Sequence, residues 1–148
     1  ITFSTGFWKQ LIQFNLNVVE ALIKLNLTLD GSTTLKKYTL KNEPTGLYET
    51  KNALLKLENE SALAIENILY ETPECDEYIK LIDTSFFAQL TLAEKGKNGN
   101  SKTTTLQITA PPTALPGAEK DCLIEITYLD PKTNDVAQVD PITVQIET

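Results

Sequence analysis

The sequence predicts an all-β fold: a two-sheet immunoglobulin-like or jelly-roll sandwich preceded by an extended N-terminal arm. Three observations carry this expectation. Apolar and polar residues alternate over many short runs, the period of a half-buried strand. Turn-forming residues punctuate those runs at Asp30-Gly31, Pro44-Thr45-Gly46, Gly96 to Gly99, Pro111-Pro112, Pro116-Gly117, Asp130-Pro131 and Asp140-Pro141. Thr, a residue that suits exposed strands, occurs 20 times in 148 residues.

The elements follow in order. Ile23-Lys24-Leu25-Asn26-Leu27-Thr28-Leu29 is apolar at every odd position and reads as a strand. A second strand is expected over 35–40 and a third over 53–58, with Leu55 and Leu57 on one face. Residues 61–70 fit a strand or a short helix, and 78–82 form a short apolar run. Phe86, Ala88, Leu90 and Leu92 share a face, as do Leu106 and Ile108. A hairpin is expected between 86–94 and 103–110. A two-residue turn at Asn98-Gly99 would put their apolar sets on opposite faces. Burying four such side chains, at roughly 1.5–3 kcal/mol each, outweighs turn preference. The expected hairpin therefore has a bulged or odd-length loop that pairs Leu92 with Leu106 and Leu90 with Ile108. The last hairpin is expected to pair Tyr128 with Ile142, Ile126 with Val144 and Ile124 with Ile146, with Cys122 on the inward face.

Residues 1–22 form the arm and 23–148 the sandwich domain. Within the arm, Ile12, Phe14, Leu16 and Val18 alternate with Gln13, Asn15 and Asn17, which favours a strand over 10–19. A helix competes: Phe7, Leu11, Phe14, Val18, Ala21 and Leu25 fall at spacings of three and four, with Ser4 or Thr5 as a cap. Asn is a poor helix former, which tips the balance to the strand. Inward parity is even through Val18 and odd from Ile23, so a bulge or turn near Val19-Glu20-Ala21 must absorb the slip. Two successive strands of about 20 residues span roughly 65 Å, more than such a domain is wide. Part of the arm is therefore expected to leave its own domain, and an apolar strand that projects needs another sheet to pair its backbone. An ordinary first hairpin, or an amphipathic helix packed on the same core, is the plainer alternative. Phe7 and Trp8 fit either an interface or their own core.

Composition removes whole classes of activity. The chain has no His and no Arg, 13 Lys, 20 Asp plus Glu and a net charge of −7. Ser-His-Asp and Cys-His catalysis cannot be assembled within it, nor can His-containing zinc sites. No guanidinium fork is present for phosphate, and the negative charge disfavours nucleic acid. A hydrophobic content of 41% supplies a core, and no apolar run reaches the length of a spanning helix. Position 1 is Ile rather than Met, which fits a removed leader or a trimmed chain.

Cys75 and Cys122 suit one disulfide better than a metal site, with two buried thiols as the alternative. Such a bond closes a loop of roughly 48 residues and contributes about 4 kcal/mol on the chain-entropy account. Two glycosylation sequons occur, at Asn26 and at Asn59. Glu71, Glu74, Asp76, Glu77 and Asp83 cluster around Cys75, and Asp130, Asp135 and Asp140 punctuate the last loop. Calcium is the cation such oxygens would take, but neither stretch has EF-hand spacing, and solvated acidic loops are the plainer expectation. Paired carboxylates for glycoside hydrolysis need a cleft that this chain length leaves little room for. The stretch 96–102 has the Gly and Lys of a phosphate loop without its spacing or setting, and a hairpin tip is expected. No cofactor is expected.

The run 23–29, followed by Leu35-Lys36-Lys37-Tyr38-Thr39-Leu40-Lys41-Asn42, resembles the opening strands of secreted immunoglobulin-like fibre subunits, of the camelysin-like biofilm fibre and archaeal bundling-pilin types. The closing pair 123–128 and 142–146 is similar to the last hairpin of many cell-surface domains of this kind. The resemblance covers about a third of the chain. Glu43-Pro44-Thr45-Gly46 stands where the family pattern has Gly after Asn. The resemblance implies a structural subunit of an extracellular surface filament, a head-to-tail homopolymer joined by N-terminal strand insertion into a neighbour. The donor role would fall on Ile12, Phe14, Leu16 and Val18, with Phe7 and Trp8 at the same interface. A monomeric secreted carbohydrate- or surface-binding module, and a viral virion or tail component, are the competing functions.

Overall fold

The computed structural model describes residues 23–148, and no helix occurs among them. Nine strands follow in order: β1 (Leu25–Leu29), β2 (Leu35–Thr39), β3 (Lys51–Asn59), β4 (Leu69–Glu71), β5 (Ile79–Leu81), β6 (Ser101–Ile108), β7 (Glu119–Leu129), β8 (Val136–Gln138) and β9 (Ile142–Glu147). One sheet runs β1-β3-β6-β5, and the other runs β2-β9-β7-β4 with β8 also on β7. All pairings are antiparallel except β2 on β9. With β8 and β9 counted as one interrupted last strand, this is the four-on-three arrangement of an immunoglobulin-like sandwich, its first strand divided between the sheets.

Alternation explains each long strand. β1 buries Leu25, Leu27 and Leu29, and β3 buries Ala53, Leu55, Leu57 and Asn59. Across the core, β7 turns in Cys122, Ile124, Ile126 and Tyr128, and β9 turns in Ile142, Val144 and Ile146. Asp30 and Gly31 both have positive φ, 47° and 83°. Leu29 and Ser32 exchange both backbone hydrogen bonds at 2.9 Å. The result is a two-residue turn with both central residues left-handed, which Asp-Gly accommodates at little steric cost. It ends β1 and sends the chain across to the other sheet.

Two expected pairings are corrected. Residues 86–94 form no strand, and β6 pairs instead with β3 and β5, placing Leu106 opposite Ala53 and Leu81. The segment after Asp83 coils through successive turns, with Phe86 N–H bonded to Asp83 O and Ala88 N–H to Ser85 O. Leu92 nevertheless reaches the core, held by a single bridge to Ile65. The alternation there marks burial without a ladder. In the last hairpin the inward parity is as expected, but the register differs: Ile124 faces Ile142 and Cys122 faces Val144. β8 pairs the end of β7, opposing Ala137 to Tyr128. The chain then passes Asp140-Pro141, where Pro has no donor for a ladder, before β9 begins.

Cys75 and Cys122 form a disulfide with Cα atoms 5.9 Å apart, and both residues are buried. It ties the β4–β5 connection to β7.

Candidate assembly site

The edge of the first sheet is built by β1. Glu60 N–H donates to Lys24 O and Asp30 N–H to Leu54 O, each at 2.9 Å, at the two ends of an unbroken β1–β3 register. Antiparallel strands alternate between paired and outward groups. The even residues of β1 therefore bond β3, and the N–H and C=O of Leu25 and Leu27 point away from it. Among the described residues no strand covers Leu25 and Leu27 on that side, and Ser32 alone bridges it, at Leu29. Natural edges are blunted by Lys, Pro, inward charge or bulges. β1, with the sequence Leu-Asn-Leu-Thr-Leu, has none of these.

Facing β1 across the sandwich, the second sheet is also incomplete. β2 covers β9 only from Thr143 to Glu147, and Thr143 N–H donates to Thr34 O at 2.9 Å just where that cover begins. Ahead of it, no described strand covers the outer side of the segment from Val136 to Pro141. Between the two edges lies a groove of about 380 Å³, lined by Leu25, Leu27, Thr33, Thr34, Val139 and Asp140 among others.

The expected donor residues Phe7, Trp8, Ile12, Phe14, Leu16 and Val18 lie outside the described residues. The two sequons part company. Asn26 lies half-buried on the outward side of β1 and lines the groove. Asn59 is wholly buried. Its Nδ2 donates to Leu63 O at 2.8 Å and Ala93 O at 3.0 Å, and its Oδ1 accepts from Ser61 N–H at 2.9 Å. An amide so enclosed and so bonded is no acceptor in the folded chain, and that expectation is corrected. Asn59 is instead the polar hub that joins β3 to the 61–63 turn and the 92–93 segment. A signal for this was present in the sequence: Asn59 continues the odd, inward parity of Ala53, Leu55 and Leu57.

Two of the expected acidic residues are engaged locally. Asp130 Oδ1 accepts from Lys132 N–H at 2.8 Å, and Asp83 Oδ1 accepts from Ser85 N–H and Oγ. Among the described residues no three carboxylates or thiols converge on one point. Residues 96–100 are a loop with left-handed Gly96 and Gly99, and Ser101 and Lys102 already begin β6.

Titration of the described groups reports packing. Burial, then the hydrogen bond to Asp30, raises the Tyr38 hydroxyl above the usual phenol range. Burial pushes Tyr70 up to about 12. Its hydroxyl makes no hydrogen bond of good geometry, and nearby Thr72 offsets only part of the shift. The Tyr70 ring stacks on Phe87 with centroids 4.9 Å apart, and Phe86 meets Phe87 edge-on. Lys24 holds the Glu60 carboxyl below its ordinary value through their hydrogen bond.

No protein-family model matches the chain, and no curated protein matches it. Solved structures do resemble it. The YadV chaperone is 12% identical with a TM-score of 0.52, over 82% of this chain and 51% of that one. The VesB protease of Vibrio cholerae is also 12% identical, with a TM-score of 0.51, over 83% of this chain and 32% of that one. The CooA pilin subunit of enterotoxigenic Escherichia coli is 14% identical with a TM-score of 0.43, over 84% of this chain and 97% of that one. The chain thus spans about half of YadV and a third of VesB. At these identities the likeness is one of fold, an all-β two-sheet sandwich. No described helix is long and apolar enough to cross a membrane.

Proposed function

We propose that the chain is a structural subunit of an extracellular surface filament, joined head to tail by insertion of the 10–19 segment into a neighbouring subunit. One observation carries this reading: an unguarded edge strand, β1, follows directly on an arm whose Ile12, Phe14, Leu16 and Val18 alternate with polar residues. The described sandwich already holds both the divided first strand and the last strand of its architecture, β2 lying parallel on β9. An apolar strand ahead of β1 therefore finds its backbone partners most simply on another copy, and repetition of one heterologous contact builds a filament. A buried disulfide suits an oxidising, extracellular setting. The likeness to VesB is one of fold, and a chain without His has no general base for a Ser-His-Asp triad.

The experiment is size-exclusion chromatography and negative-stain imaging of the whole chain against a chain lacking residues 1–19. Filaments from the whole chain, and monomers from the shortened one, support the reading. Filaments that survive the deletion, or monomers from both, overturn it; the second result favours a monomeric binding module.

A further inference from the structure

We infer that the acceptor for residues 10–19 of a second copy is the seam between β1 and the Val136–Pro141 stretch. This rests on the filament reading and goes beyond it by locating the joint on the described sandwich. Three features place it there. The outward N–H and C=O groups of Leu25 and Leu27 offer a ladder. The groove beneath them has an apolar side of Leu25, Leu27 and Val139, which inward side chains of an added strand would meet, and a polar side that includes Asn26, Thr28, Lys56 and Glu58. The outward neighbours Asn26 and Thr28 are uncharged and half-buried, a match for the amides of Gln13, Asn15 and Asn17. The other edges serve less well. β4 and β5 are three residues each, against five in β1. β2 has an outward Lys37 paired to Glu147 at 3.2 Å, the kind of charge that blunts an edge.

The occupant is a second copy, and the sequence says why. For a chain's own 10–19 segment to pair with its own β1, the backbone must reverse just before Leu25. Residues 18–25 read Val-Val-Glu-Ala-Leu-Ile-Lys-Leu. They contain no Gly, Pro, Asn, Asp or Ser, the residues from which tight reversals are made. Lys24 is moreover already committed to Ser61, whose Oγ accepts its N–H at 2.7 Å. With Leu29 already paired to Ser32, β1 offers about 13 Å of free edge, room for about four residues of the donor.

The test uses whole chains that carry one added cysteine each. Thr28→Cys is mixed with Gln13→Cys, Asn15→Cys or Asn17→Cys, oxidised, and resolved without reductant. Asn26→Lys and Thr28→Lys, singly and together, are assayed for filaments by negative stain, with melting temperature as the control for folding. The expected result is a cross-linked heterodimer in at least one mixture. The double-lysine variant should lose filaments at an unchanged melting temperature. A chain that carries both added cysteines is oxidised alongside, and cross-linking confined to its monomer means the arm fills its own seam, which overturns the inference. Normal filaments from the double-lysine variant, with no cross-link in any mixture, overturn the location while leaving the filament reading standing. A whole chain that forms no filaments, and no cross-links, overturns both.

Discussion

The Tyr38 hydroxyl donates to Asp30 Oδ2 at 2.7 Å, which ties β2 of one sheet to the turn that ends β1 of the other. Asp30 closes β1, and its Oδ1 accepts the Leu54 N–H of β3 at 2.8 Å. Tyr38 is the buried residue of β2, opposite Ile146 of β9. One carboxylate therefore fixes the point at which the first strand changes sheets. Tyr38→Phe removes one charge-assisted bond but leaves Asp30 exposed to water, so its cost is expected at or below the low end for such bonds, about 1 to 1.5 kcal/mol. That is a fall of roughly 2–4 °C in melting temperature for a chain of this size. Asp30→Ala loses both bonds and replaces a residue that tolerates the left-handed region by one that does not, so it should cost more than Tyr38→Phe. Thermal melts of the two variants check the order.

Alkaline pH should destabilise the fold through its tyrosines. Tyr70 is raised from 10.0 to about 12 by burial, and Tyr38 and Tyr128 are raised in the same direction, burial being the main cause in each. A raised phenol holds its proton in the folded state where the unfolded chain has lost it. The associated stability is complete below pH about 10 and is lost as pH rises towards 12. Tyr70→Phe should flatten part of that loss. It should also leave stability at pH 7 unchanged or higher, because the hydroxyl removed has no good partner. Denaturant titrations at pH 7 and at several points above pH 9 measure both effects.

Much of the sandwich was legible because its long strands are half-buried on a strict period of two. Leu25 to Leu29, Ala53 to Leu57 and Ile142 to Ile146 announce both their strand and its inward face. What period cannot supply is the partner. Leu90 and Leu92 alternate as a strand would, yet they reach the core from a chain of turns, and β6 takes β3 and β5 as its neighbours. The parallel seat of β2 on β9 was equally hidden, since Leu35 and Lys37 face outward beside Thr143 and Gln145 and alternation alone carries no direction. The register of the last hairpin depends on where β8 stops, and Asp140-Pro141 marks a break without giving its length. Of the candidate site, the apolar side of β1 was readable. The groove beside it was not, because it is made by Val139 and Asp140, distant in sequence from Leu25.

The Cys75–Cys122 bond spans 47 residues of sequence and fastens an irregular connection to the longest strand. The backbone bonds of the stretch between β4 and β5 run largely among Thr72, Cys75, Tyr78 and Ile79, and Thr109 N–H donating to Tyr78 O at 2.8 Å ties its far end to the first sheet. The double substitution Cys75→Ala with Cys122→Ala is expected to cost about 4 kcal/mol on the chain-entropy account, a fall of roughly 10 °C in melting temperature. Loss should begin locally, so amide exchange at Tyr78 and Ile79 should accelerate before that of Leu55 or Ile126. A uniform rise in exchange across both sheets would count against a local role for the bond.

Asn59 supplies the sharpest contrast between a motif and its place in the fold. Its side chain answers Leu63 O, Ala93 O and Ser61 N–H at once, while its own N–H donates to Asn100 O at 2.7 Å. Asn59→Ala would leave two carbonyls and one amide without their side-chain partner in a buried site, at about 1–3 kcal/mol for each group left unsatisfied. Asn59→Asp keeps the size but sets a carboxylate against those carbonyls, and burying an unpaired charge costs more than losing a neutral bond. The expected order of stability is wild type, then Asn59→Ala, then Asn59→Asp at pH 7, with the Asp variant partly recovering as pH falls and its carboxyl gains a proton to donate. Expression in a host that glycosylates secreted chains gives a second readout. Intact mass should show no glycan on Asn59 in folded protein, because the Nδ2 that would carry it is enclosed and already bonded. A glycan found there in folded material would mean that the 61–63 turn opens, and the hub assigned to Asn59 would be wrong.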